Sequence, residues 1–193
     1  MDFCIQKKRT FKMNLNQKPM ENPTQPLTAY MLKYGGLLGG ISIIFALMLF
    51  SLDMHYGQED AVNYVNYAIS ISVIVLGIHT FRKDNDGYLG LGEAIKLGLG
   101  ISLVSAIIAV VYTALLMYVL EPGYMAKVMD FAKEKMIDDN PEMSQEELQM
   151  TLDMMEKFQG IGVIAGFILI FSLFFGFLTS LVTGLILKRA RPE

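Results

Sequence analysis

The residues best placed to do chemistry lie between two apolar runs, in 82–100, where RKDNDGYLGLGEAIKLGLG gathers acids, a glycine turn and lysines. Asp84, Asp86, Gly87 and Glu93 fall at positions three, five, six and twelve of a calcium-binding loop, but Arg82 holds position one. A cation there stands where a carboxylate ligand is required. A turn explains the same residues, because Asp, Asn and Gly tolerate left-handed and turn backbones. Gly90-Leu91-Gly92 and Gly98-Leu99-Gly100 are not a dinucleotide fingerprint, because no strand precedes them. Seven of the fourteen methionines lie in 121–157, and Met150, Met154 and Met155 raise the chemistry of copper(I), which prefers soft thioethers. No paired histidine or cysteine accompanies them, and most follow an apolar helix face, which fits an adaptable docking surface better. No nucleophile–base pair, zinc spacing or phosphate loop appears. The sequence therefore reads as that of a non-enzyme, with no catalytic, cofactor-binding or metal residues and no nucleic-acid partner.

A second set of polar residues sits inside apolar runs. Asn63, Asn66 and Ser70 are three and four residues apart, hence on one helix face; Ser102, Ser105, Tyr112 and Thr113 punctuate a later aliphatic run. One reading has these side chains bonding across to neighbouring helices, each contributing about 1 kcal/mol. The other has them lining a path between the second and third spans. No Asp, Glu, Lys or Arg accompanies them at membrane depth, so the usual markers of ion coupling are missing. His79, close to the end of its run, reads as an interface residue.

These residues need elements to position them, and hydropathy supplies four. Over half of the 193 residues are apolar. Uncharged runs occupy about 34–52, 61–81, 97–120 and 158–187. A bilayer core of about 30 Å needs roughly 20 helical residues, and each run is long enough. The expected fold is all-α: a polytopic membrane protein with four transmembrane helices arranged as two hairpins, plus an extracytoplasmic amphipathic helical excursion. Residues 1–28 read as a flexible tail whose true start is Met1, Met13 or Met20; 29–188 form the membrane domain; 189–193 form a short cytoplasmic tail. Lys33-Tyr34-Gly35 and Lys96-Leu97-Gly98 each lead into a span, an echo that suggests hairpins related by an axis along the membrane normal.

Small residues mark the expected helix contacts. Gly35 and Gly39 overlap with Gly36 and Gly40 in the first span, and Ser172, Gly176, Ser180 and Gly184 recur every four residues in the last. In lipid, such residues let backbones approach closely and gain dispersion contacts. The phenylalanines around the second ridge, Phe167, Phe171, Phe174, Phe175 and Phe177, are expected mostly to face lipid or to fill between helices. Gly87, Glu93 and Lys96 are expected to set how the hairpins pack, with Glu93 and Lys96 three apart and able to pair.

Charge orients the chain. Lys and Arg number six up to Lys33, none in the acidic loop 53–60, three in the hinge and three after 187. The segment 121–157 has four against ten acids, a net of minus six. The positive-inside rule places both termini and the hinge in the cytoplasm of a cell (inner) membrane. Within 121–157, Met125, Val128, Met129, Ala132 and Met136 trace one helical stripe, Asn140-Pro141 breaks it, and Ser144 with Glu147 reads as a capping box for a second helix.

With these residues in view, the chain resembles domain-of-unknown-function family 4199. The resemblance rests on Leu32-Lys33-Tyr34-Gly35, on Arg82, Asp84, Gly87-Tyr88-Leu89 and Gly92-Glu93-Ala94 with Lys96 and Gly98, on Pro122-Gly123-Tyr124, and on Met143-Ser144-Gln145-Glu146-Glu147. It implies a bacterial four-span integral membrane protein and no activity. Two functions are open to such a sequence, and the absence of charge inside the spans favours the first. The first is a structural or interaction subunit, a scaffold or accessory protein that meets a homo-oligomer mate or membrane-protein partner through 121–157. The second is a small permease or channel component, whose polar side chains must converge on a cavity rather than bury helix to helix.

Overall fold

The structure, a computed structural model, describes residues 26–52, 56 and 60–190. The tail expectation, up to residue 25, and most of the acidic loop lie outside these residues. Among the described residues six α-helices occur in order: α1 Leu27–Ser51, α2 Asp60–Asp84, α3 Leu91–Leu115, α4 Tyr124–Asp139, α5 Gln145–Glu156 and α6 Ile161–Leu187. A π-helical turn, Leu116–Leu120, carries α3 onward. Four segments are long and apolar enough to cross a membrane: Leu27–Ser51, Ala61–Asp84, Leu91–Leu120 and Ile161–Leu187. This is an all-helical polytopic membrane fold. The first and third spans begin six or seven residues before their uncharged runs, taking in Lys33, Glu93 and Lys96. Hydropathy marks the hydrocarbon slab, whereas a helix continues into the interface where charged side chains are solvated.

α3 is the central helix. It packs most extensively against α1 and α6, while α1 and α2 touch far less than α3 and α6 do. The two hairpins are therefore not packed alike, which argues against the symmetry that the span-entry echo suggested. Small residues make the close contacts. Along α3–α6 three rungs meet: Ala94 with Gly184, Gly98 with Ser180, and Ser102 with Gly176. A β-carbon at Gly176 would collide with Ser102 Oγ, and one at Gly98 would collide with Ser180 Cβ. On the other side, Gly35 abuts Val104 and Gly39 abuts Ile108. Gly36, Gly40, Gly162 and Gly166 face open space. The phenylalanines Phe167, Phe171 and Phe174 point outward and are more than half exposed.

The half of the bundle nearest the α2–α3 hinge is sealed. Leu38, Ile74, Ile78, Leu97 and Ile101 fill it with at most 3% exposure each. Tyr30 donates to Asp84 Oδ2 at 2.7 Å and Tyr34 to Thr80 Oγ1 at 2.9 Å, tying α1 to α2. The hinge is a tight turn. Asp86 and Gly87 adopt left-handed φ values of 54° and 80°, the conformation Asp and Gly tolerate best. Asn85 donates through Nδ2 to Tyr88 O, and Arg82 through Nε to Gly87 O. Leu89 and Arg189 then exchange two backbone hydrogen bonds of 3.0 Å, fastening the hinge to the end of α6.

Helix ends behave as their capping residues dictate. Glu93 turns back to accept the Gly90 N–H at 2.7 Å, and no ion pair joins it to Lys96 among the described residues. The expected Glu93–Lys96 pairing is thus replaced by satisfaction of a free helix-end amide. Ser144 and Glu147 form the reciprocal capping box of α5.

Replacing Gly176 by Ala should separate α3 from α6 and lower stability by about 1–3 kcal/mol, the usual range for overpacking. Gly36→Ala and Gly40→Ala meet no neighbour and should leave stability unchanged or slightly raised. Thermal unfolding in mild detergent, monitored by size-exclusion chromatography, reads the difference.

Candidate functional site

Beyond Gly39 and Gly176 the small-residue contacts run out and the helices part. The space between them is a cavity of about 390 Å³ lined from all four spans. Ser42 comes from α1, Asn63, Asn66 and Ser70 from α2, Ser105, Tyr112 and Thr113 from α3, and Ser172 from α6. A second space of about 330 Å³ shares Ser70, Ser105 and Ser172 with it and adds Ser102, Tyr67 and Thr179. Of the polar residues expected on a path, Asn63, Asn66, Ser70, Ser105, Tyr112 and Thr113 line the first cavity and Ser102 lines the second. The second space touches Leu38 and Ile74 of the sealed apolar half and, between α2 and α6, the exposed Tyr67, Ile71 and Phe171.

Chemically the cavity is polar and uncharged. No Asp, Glu, Lys, Arg or His lines it among the described residues. Thr113 turns its hydroxyl back to Ala109 O at 2.9 Å. Among the described residues, no hydrogen bond within the protein engages the Asn63 or Asn66 carboxamide. They do not bond across to α1 or α3. Both side chains are half-buried near the start of α2, and a buried hydrogen-bonding group without a protein partner is costly unless water or a ligand meets it.

At the excursion end, Tyr124 of α4 also lines the cavity. Its ring lies 6.1 Å from that of Tyr56 in the α1–α2 loop. Tyr56 donates to Glu121 Oε1, and Lys127 donates to the same oxygen at 2.6 Å and to the Tyr56 hydroxyl oxygen at 3.0 Å. The ammonium also sits 5.1 Å over the Tyr56 ring. Bonding to Glu121 holds the Lys127 amine above its ordinary range, and bonding to the same carboxylate raises the Tyr56 phenol. Burial pushes the Tyr124 phenol up.

Comparison with known proteins bears on this architecture. Residues 33–189 match the family model described as "Protein of unknown function (DUF4199)". The chain belongs to that family. Neither a curated protein nor a solved structure matches it. The matched stretch runs from Lys33 to Arg189, so the family region contains all four spans' cavity-lining residues and both ends of the Leu89–Arg189 bridge.

The remaining sequence-derived candidates of this family member have other places. Gly35 and Gly39 sit at the α1–α3 contact, and Gly176, Ser180 and Gly184 at the α3–α6 contact. Gly87 forms the hinge turn, Glu93 the start of α3, and Lys96 is exposed one turn further on. Asp84 is taken by Tyr30, tying α1 to α2, and Glu93 by Gly90 at the start of α3, so these two acids of the calcium-loop pattern serve structure. Met150 and Met154 are 64% and 54% exposed, while Met155 turns inward beside Met125 and Met129 around a space of about 290 Å³. The three thioethers do not converge. Sequence reading missed the Tyr56–Glu121–Lys127 cluster, whose members are up to 71 residues apart. Its signal was a lone acid closing a span, with a lysine six residues later on α4.

The Lys127 shift sets a pH expectation. A group whose pKa rises on folding contributes stability below its unfolded value, about 10.4, and loses it as pH climbs through the raised value. The α3–α4 corner should therefore hold unchanged across neutral and mildly alkaline pH and loosen only in strong alkali. Amide hydrogen exchange over 116–128, corrected for intrinsic rates, measures this.

Proposed function

We propose that this protein binds a small uncharged polar solute in the cavity between its spans and works as a small permease or channel component, closed at its hinge end in this structure. The observation that carries the reading is the convergence of carboxamides and hydroxyls from four spans on one space, with the Asn63 and Asn66 amides unmatched by any described protein group. In an apolar bundle such groups require a polar occupant. The lining carries no charge, which fits a neutral solute and does not fit coupling to an ion. A binding role rather than covalent chemistry accords with the same lining.

The placement that goes with this reading is a bacterial cytoplasmic membrane, with both termini and the hinge inside and the excursion outside. Arg82, Lys83, Lys96, Lys188 and Arg189 all cluster at the hinge end, against the acidic excursion. A second reading, a scaffold or accessory subunit, draws support from the exposed Phe131, Ile137, Met150 and Met154 of the excursion, a flexible apolar surface that could receive a mate or partner.

Cysteine accessibility separates the two. In a Cys4→Ser background, Asn66→Cys and Ser105→Cys should react with a small membrane-impermeant thiol reagent applied to intact cells, far faster than Ile101→Cys in the sealed half. If Lys127→Cys reacts and both cavity positions stay silent, with and without Glu121→Gln, the spans pack dry. The cavity reading then fails in favour of the scaffold.

A further inference from the structure

We propose that the start of α4 is a lid over the excursion end of the cavity, held shut by the Tyr56–Glu121–Lys127 cluster. The inference rests on the reading of that cavity as a solute chamber. Tyr124 is the one described residue of α4 and α5 that lines the chamber, and it stands where α3, having run through its π turn, hands over to α4. A π turn inserts a residue into the helical register and rotates the residues beyond it. Here its last amide bond, Glu121 N–H to Leu116 O at 2.8 Å, leaves the Glu121 side chain 13% exposed and bonded to Tyr56.

The lid is lightly attached. Helix α4 packs on the π turn and on α5, and among the described residues neither α4 nor α5 packs backbone to backbone on α1, α2 or α6. Glu121-Pro122-Gly123 joins it to the bundle, with open space around Gly123. Among the described residues, the cluster ties this segment to Tyr56 of the α1–α2 loop, with one carboxylate oxygen accepting from both the Tyr56 phenol and the Lys127 ammonium. Lys127 is 57% exposed, so the pair is screened by water and salt. A tie of that kind is strong enough to bias a segment and weak enough to release it. Opening it would free Tyr124 from the chamber and let a solute reach Asn63 and Asn66 from the excursion side.

The test uses the full chain in membranes, with Cys4→Ser and a single Ser105→Cys, and the same impermeant thiol reagent. Tyr56→Phe removes one hydroxyl, and Glu121→Gln removes the charge while keeping the shape. Each should speed labelling of Ser105→Cys several-fold, and raised salt should do the same to the chain with the cluster intact. Ile101→Cys serves as a reference and should stay slow throughout. Labelling that is measurable at Ser105→Cys and unaltered by both substitutions overturns the lid and leaves the chamber standing. Silence at Ser105→Cys in every variant overturns chamber and lid together. A parallel rise at Ile101→Cys means that the whole bundle has loosened, and it too overturns a local lid.

Discussion

Everything in this fold depends on how closely α3 can approach α6. Three rungs of small residues, Ala94–Gly184, Gly98–Ser180 and Ser102–Gly176, bring the two backbones together over the hinge half of the membrane. Lipid tails are as apolar as leucine, so burial gives such a contact no drive and close packing supplies it instead. The contact is local. One turn further along α6, Ser172 faces open cavity, and Gly166 and Gly162 meet nothing within 4 Å. The helices must then diverge, and α1 takes the same course once Gly39 has passed Ile108. A bundle sealed at one end and hollow at the other results from where the small residues stop.

The hollow matters because of its lining. Amides and hydroxyls in a purely structural role would pair across the helix interface, as Tyr34 does with Thr80. Asn63 and Asn66 reach a shared space instead. Among the described residues no protein group meets their carboxamides there.

Much of the architecture was legible in the sequence, for definite reasons. A span is a composition of some twenty residues, and hydropathy reads composition directly. The capping box at Ser144 and Glu147 and the turn at Asp86-Gly87 are local, so spacing alone reveals them. Partner choice is another matter. Gly35/Gly39 and Gly36/Gly40 look equivalent along the chain, yet they point about 100° apart on the helix, and only the first pair meets α3. The greater packing of α3–α6 over α1–α2, the π turn after Leu115 and the joining of Tyr56 to Glu121 depend on three-dimensional neighbours that no window of sequence contains.

The bridge between Leu89 and Arg189 has a consequence for how the molecule is made. It joins the middle of the chain to the residues just past the fourth span. A chain emerging from the ribosome reaches Leu89 about a hundred residues before Arg189 exists, so the hinge stays unfastened while α3, the excursion and α6 are synthesised and inserted. The sealed end of the bundle is thus completed only once the fourth span and Arg189 have been made. Until then α3 lacks the ridge it packs against, and Gly98 and Ser102 stand open to lipid or to the small-residue faces of other nascent spans.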